Sequence, residues 1–237
     1  MEKTISNHWR RMAMGLLLFG ISFGYVEAAV VVYLRTVYEP IRLHVHPRQA
    51  AADLLPLMTI EQLRATAPET VRLVGVELVR EAATLLMLSG VALVATRSWK
   101  LWLPAFAVAF GTWDLFYYVF LKLLIAWPAS LLTWDVLFLV PVPWVAPVLA
   151  PVIVSVSIII TGLIALRCPV PMQGFHWVGL AMGGCLILLS FLWDFARITA
   201  GGIPDRFLWT IFGAGELLGL SAFFHAARQS ESSPGLD

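Results

Sequence analysis

The sequence predicts an all-α fold, a polytopic transmembrane helical bundle of about six spans with one re-entrant or interfacial segment. Three observations carry that prediction. Hydrophobic residues make up 59% of the 237, charged residues only 13%, and mean hydropathy is +0.82. An ordinary soluble domain carries about a quarter charged residues. Apolar runs recur at the length of roughly 20 residues that crosses hydrocarbon. Only one sizeable polar stretch, residues 36–71, interrupts them. Residues 1–237 therefore read as a single membrane domain in a lipid bilayer. A net charge of +1 gives no reason to expect a nucleic-acid partner.

The first span is placed at 12–34. His8, Trp9, Arg10 and Arg11 followed by MAMGLLLFGISF resemble the start of a secretory signal, with Val26, Glu27 and Ala28 as a cleavage site. Apolar character runs on through Leu34, however. The resulting stretch is about 34 Å of helix, enough to span uncleaved.

The second span, 72–96, is preceded by Thr66, Ala67, Pro68 and Glu69, a capping-box pattern with proline in the first turn. The loop before it, 36–71, is expected to be extracytoplasmic. It holds a short helix starting at Thr59, capped with Gln62, and the pair His44 and His46. In an extended segment those imidazoles point the same way and, with a carboxylate below, suit a metal. Two solvated histidines are the plainer reading, and no metal site is assigned. The sequence names no cofactor.

The third span covers 101–125. The segment 129–141 is apolar but too short to cross, so it reads as interfacial or re-entrant, bracketed by an aromatic belt of Trp127, Trp134 and Trp144. Pro143, Pro147 and Pro151 predict a kinked start to the fourth span, 145–166. Splitting 130–167 in two gives a seven-span alternative. The fifth and sixth spans are placed at 175–197 and 207–227. Cys168 and Cys185 lack metal or disulfide spacing and read as buried single thiols.

Arg10, Arg11, Arg97, Lys100, Arg167 and Arg228 all fall on one side of a six-span topology. The positive-inside rule makes that side cytoplasmic, with both termini there.

Ionisable residues inside spans are costly and mark interiors or cavities. Here they are Glu27, Glu77, Arg80, Glu81, Asp114, Lys122, Asp194, Arg197 and Glu216, with Asp135 in the short segment. Counted along each helix, they form a layer in the outer half of the membrane. Glu77 and Arg80 are spaced for an ion pair, as are Asp194 and Arg197. Asp114, Tyr118 and Lys122 share a face, and Asp135 is expected to be wet at the surface. Carboxylates outnumber cations, so some are protonated or they bind a cation. Glu216, Asp114, Glu27 and Glu81 are the candidate catalytic acids. Tyr118, Lys122, Glu77 and Arg80 are the candidate substrate-binding residues, for a lipid-like or cationic ligand. Small neighbours of Glu216 (Gly213, Gly215, Gly219) and of Glu27 (Gly20, Gly24, Ala28) allow close helix approach.

VEAAVVVYLR, REAATLLML, FGTWDLFYYVFLK and TWDVLFLVPVPWVAPVLAPV resemble a functionally unassigned family of multi-pass bacterial membrane proteins. The resemblance implies a bacterial cytoplasmic (inner) membrane and adds no catalytic residue. No HExxH, Walker-type loop, GxSxG or CxxC occurs. Three functions remain open: an intramembrane enzyme on a lipid or isoprenoid-like substrate, a proton- or cation-coupled small-molecule transporter, and a non-catalytic subunit of a membrane complex.

Overall fold

Six helices in the computed structural model, which describes residues 2–47, 54–96, 98–168 and 170–231, are long and apolar enough to cross a membrane. The protein is thus a multi-pass membrane protein with an all-α architecture. The sequence expectation for Arg97 lies outside the described residues.

Helix α1, Glu2–Val45, runs about 66 Å and continues well past Leu34 through the expected loop. Hydropathy reports where lipid contact stops, whereas a helix ends only at a breaker or cap. Pro40 alone does not end this one, and Thr36 stays inside it by bonding back to the Val32 carbonyl (2.9 Å). His44 and His46 therefore do not form an extended pair. Helix α2, Ile60–Thr66, begins at the expected box: Thr59 and Gln62 exchange bonds of 2.9 and 3.2 Å. The second box does not form. Thr66 ends α2, and a 3-10 turn at Pro68–Thr70 leads into α3, Val71–Ala95, without a side-chain cap.

Helix α4, Trp99–Ile125, is the centre of the first group of helices. Gly20 and Gly24 bring α1 against it so closely that a Cβ would meet the Ala109 and Trp113 carbonyls at 2.9 and 2.8 Å. Gly111 and Gly162 do the same between α4 and α5. Helix α3 packs on α4 but touches α1 sparingly, which leaves a crevice between α1 and α3.

The short segment is neither helical nor a surface stretch. Strands β1, Trp134–Phe138, and β2, Trp144–Pro147, pair antiparallel with Asp135 opposite Ala146. Non-helical backbone at such depth is stable where protein buries it, and β2 and its flanks are covered by α6 and α8. Pro143 and Pro147 belong to this hairpin, and Pro151 sits in the first turn of α5, Leu149–Arg167. The kinked span start is thereby replaced by a hairpin joined to a short, capped helix, whose Leu149 N–H donates to the Leu131 carbonyl at 2.7 Å. Trp127, expected in an aromatic belt, is 3% exposed, and Trp134 and Trp144 pack on Phe207 and Phe138.

Helix α6, Gly174–Leu192, stops at Trp193, and a short α7, Phe195–Thr199, follows. Asp194 accepts from the Asp205 N–H at 2.9 Å. Among the described residues it makes no ion pair with Arg197, contrary to the spacing. Helix α8, Trp209–Glu231, pairs with α6 through Gly183 and Gly215, each within 2.7 Å of the other's carbonyl when given a Cβ. At the far end of this pair the Gln173 N–H donates to His176 Nδ1 (3.0 Å). His176 is therefore protonated on Nε2, which donates to His225 Nδ1 at 2.9 Å. Both cysteines are exposed rather than buried.

Arg10 and Arg167 both approach the Trp9 ring, at 5.9 Å. The start of α1 and the end of α5 are thus neighbours, which puts Arg10 and Arg167 at the same end of the bundle.

Candidate functional site

The polar layer resolves into three linked groups. The first joins α1 to α3. Arg80 donates twice to Glu77, at 2.9 and 2.6 Å, and once to Glu27 at 2.6 Å, with Thr84 at 3.3 Å. The spacing of Glu77 and Arg80 anticipated the first pair. The bridge to Glu27, 53 residues away, needed the fold. One guanidinium thus ties two carboxylates, and such charge-assisted forks are the stronger hydrogen bonds. Glu81 lies one turn further along, buried, and accepts from the Leu139 N–H at 2.8 Å. The end of strand β1 therefore hangs on a carboxylate of α3.

Glu27, Arg80, Glu81, Thr84, Trp113, Leu137 and Phe138 enclose a cavity of about 20 Å³, room for about one water molecule. Trp113 lines this cavity through its ring, and its indole N–H is buried with no hydrogen-bond partner among the described residues. An oxygen in this cavity would face two carboxyl groups and a guanidinium. Trp113 was not among the expected site residues. Its place next to Asp114, a candidate acid, was the available signal.

The second group lies on the other side of α4. Tyr118 donates to Asp135 Oδ2 at 2.9 Å, and Asp135 is 1% exposed. The expectation of a wet aspartate is overturned, because strand pairing turns Asp135 inward toward α4. Its Oδ1 has no partner among the described residues. Burial pushes this carboxyl up to about 7, although the Tyr118 hydroxyl and Arg35 both favour its charged form. Arg35 itself lies over Trp127, 4.4 Å from the ring centre, with Nε and Nη2 buried and without a hydrogen-bond partner among the described residues. Lys122 leaves the group despite its shared helical face. It is exposed and caps the end of α4 by donating to the Ala126 and Pro128 carbonyls at 3.2 and 2.9 Å.

The third group brackets α5. Ser155 donates to Asp114 Oδ2 on α4 at 2.7 Å. Two residues on, Ser157 is the polar neighbour of Glu216 on α8. Glu216 is 9% exposed and has no ion-pair partner among the described residues.

Of the eight expected site residues, the fold brings Glu27, Glu77, Arg80 and Glu81 together. It puts Tyr118 with Asp135, places Asp114 and Glu216 on opposite sides of α5, and removes Lys122. No family model, curated protein or solved structure matches the chain.

Proposed function

We propose that this chain is an intramembrane enzyme that performs acid–base chemistry on a lipid or isoprenoid-like substrate. The observation that carries the reading is the small cavity in which Glu27, Glu81 and Arg80 converge at the crevice between α1 and α3. A chain that enters from the bilayer through that crevice presents one oxygen atom to these groups, since the cavity has room for about one water-sized group. Glu27, tied to Arg80, serves as the base. Glu81, held among the described residues by a neutral backbone N–H, serves as the acid. Arg80 stabilises negative charge that develops on the substrate oxygen. The proposed setting is a bacterial cytoplasmic membrane, with the basic end of the bundle and both termini on the cytoplasmic side.

A second reading, a proton- or cation-coupled transporter, is favoured by a separate observation. Asp114 and Asp135 are each held by a single hydroxyl, and Glu216 neighbours another. Such groups exchange protons without breaking ion pairs.

Incubation of the purified protein with a bacterial lipid extract, read by mass spectrometry, separates the two. The enzyme reading expects a mass-shifted or isomerised lipid that Glu81→Gln abolishes. Proton flux in proteoliposomes that Asp114→Asn stops, with no altered lipid, would replace it by the transporter.

A further inference from the structure

A second cavity, of about 280 Å³, opens between α1 and α3 at the basic end of the bundle. Met12, Leu16, Val91 and Ala95 form its walls, and His8 and Arg11 stand on its rim. Gly15 faces open space, with no atom within 4 Å of where a Cβ would lie. The volume is just under the range of about 300–1,000 Å³ typical of small-molecule sites.

We propose that this cavity seats one acyl chain of an anionic phospholipid, with the lipid phosphate between Arg11 and His8. The walls are apolar and border the bilayer, so a hydrocarbon chain is the natural filler. Arg11 makes the rim cationic, and among the described residues no carboxylate lines the cavity. Arg11 is exposed and makes no ion pair among the described residues, where both ion pairs involve Arg80. Arg10 and Arg167, both near the Trp9 ring, add positive charge on the same end. A zwitterionic lipid would fill the groove but leave Arg11 without net compensation, and a free anion would leave the groove empty. Basic pockets between helices at a membrane face recognise anionic head groups in this way. The site is distinct from the acid cavity, which lies about 16 Å further along α1, from Leu16 to Glu27.

Native mass spectrometry of the full chain in detergent, with equal dioleoylphosphatidylglycerol and dioleoylphosphatidylcholine, tests the proposal. The expected result is phosphatidylglycerol adducts about fivefold or more in excess, the preference that one surface cation supplies. Arg11→Gln should remove most of that preference and Arg11→Lys should restore it. Gly15→Leu, a side chain for which there is room, should cut retention of both lipids. Arg64→Gln, an exposed substitution in α2, should change nothing. Equal retention of the two lipids by the unmodified chain would overturn the proposal. So would a preference that survives Arg11→Gln, or one that Arg64→Gln lowers equally.

Discussion

At the scale of single residues, the buried acids are held in different ways, some by an ion pair and some by one hydrogen bond. Arg80 is the clearest case, because its fork compensates Glu27 and Glu77 at once. Removing one partner of a buried ion pair costs roughly 3–5 kcal/mol. Arg80→Met should therefore lower stability by about that much in detergent unfolding, and adding Glu27→Gln should recover part of the loss. Asp135 gives a pH signature. Its carboxyl is raised from 3.8 to about 7 in the fold, so between those values the folded chain holds a proton that the unfolded chain has lost. Stability from this group is greatest at low pH, falls as pH rises through that window and is level above it. Asp135→Asn should make that slope shallower in melting curves recorded from pH 4 to 8. An unchanged slope would mean that Asp135 is not the titrating group. Residue identity in the sequence was enough to flag these groups, but not to pair them. Glu77 and Arg80 are three apart on a helix and were legible. Glu27 and Arg80, Tyr118 and Asp135, and Ser155 and Asp114 meet only through tertiary packing.

At the scale of elements, the helices were legible because lipid forces a long apolar run on each span. The hairpin was not. Its strands have five and four residues, are apolar apart from Asp135 and lack the polar alternation that distinguishes a strand from a buried helical segment. The end of α1 was also misplaced, since hydropathy marks the membrane edge and not the helix end. Close packing at small residues was foreseen and has a sharp consequence. Gly183→Leu should wedge α6 from α8, because its Cβ would lie 2.7 Å from the Gly215 carbonyl, whereas Gly213→Leu points into open space. Thermal denaturation in detergent should show a marked drop for the first and little change for the second. The hairpin likewise acts through one bond at its end. Glu81 holds the Leu139 N–H, so the acid proposed for catalysis also anchors the element that roofs the cavity.

At the scale of the whole molecule, charge is arranged by end and by depth. The cationic groups Arg10, Arg11 and Arg167 lie at one end, while Glu27 lies further along α1 beside Glu81 of α3. Cys168 is exposed beside Arg167 at the basic end, and Cys185 is exposed in the middle of α6, on a surface that the bilayer covers. A membrane-impermeant maleimide should therefore label Cys168 from the cytoplasmic face of oriented vesicles only, and leave Cys185 unlabelled from either face. Labelling of Cys168 from the outer face would reverse the proposed orientation. The cavity lined by Glu27, Arg80, Glu81 and Trp113 is tested by analysing the lipids that co-purify with the chain in mild detergent, for the unmodified protein and for Glu81→Gln. The expected result is one lipid-like species, enriched over the bulk membrane, whose amount or mass changes with Glu81→Gln while the anionic phospholipid at Arg11 does not. Co-purified lipids in bulk proportions, identical for both proteins, would contradict it.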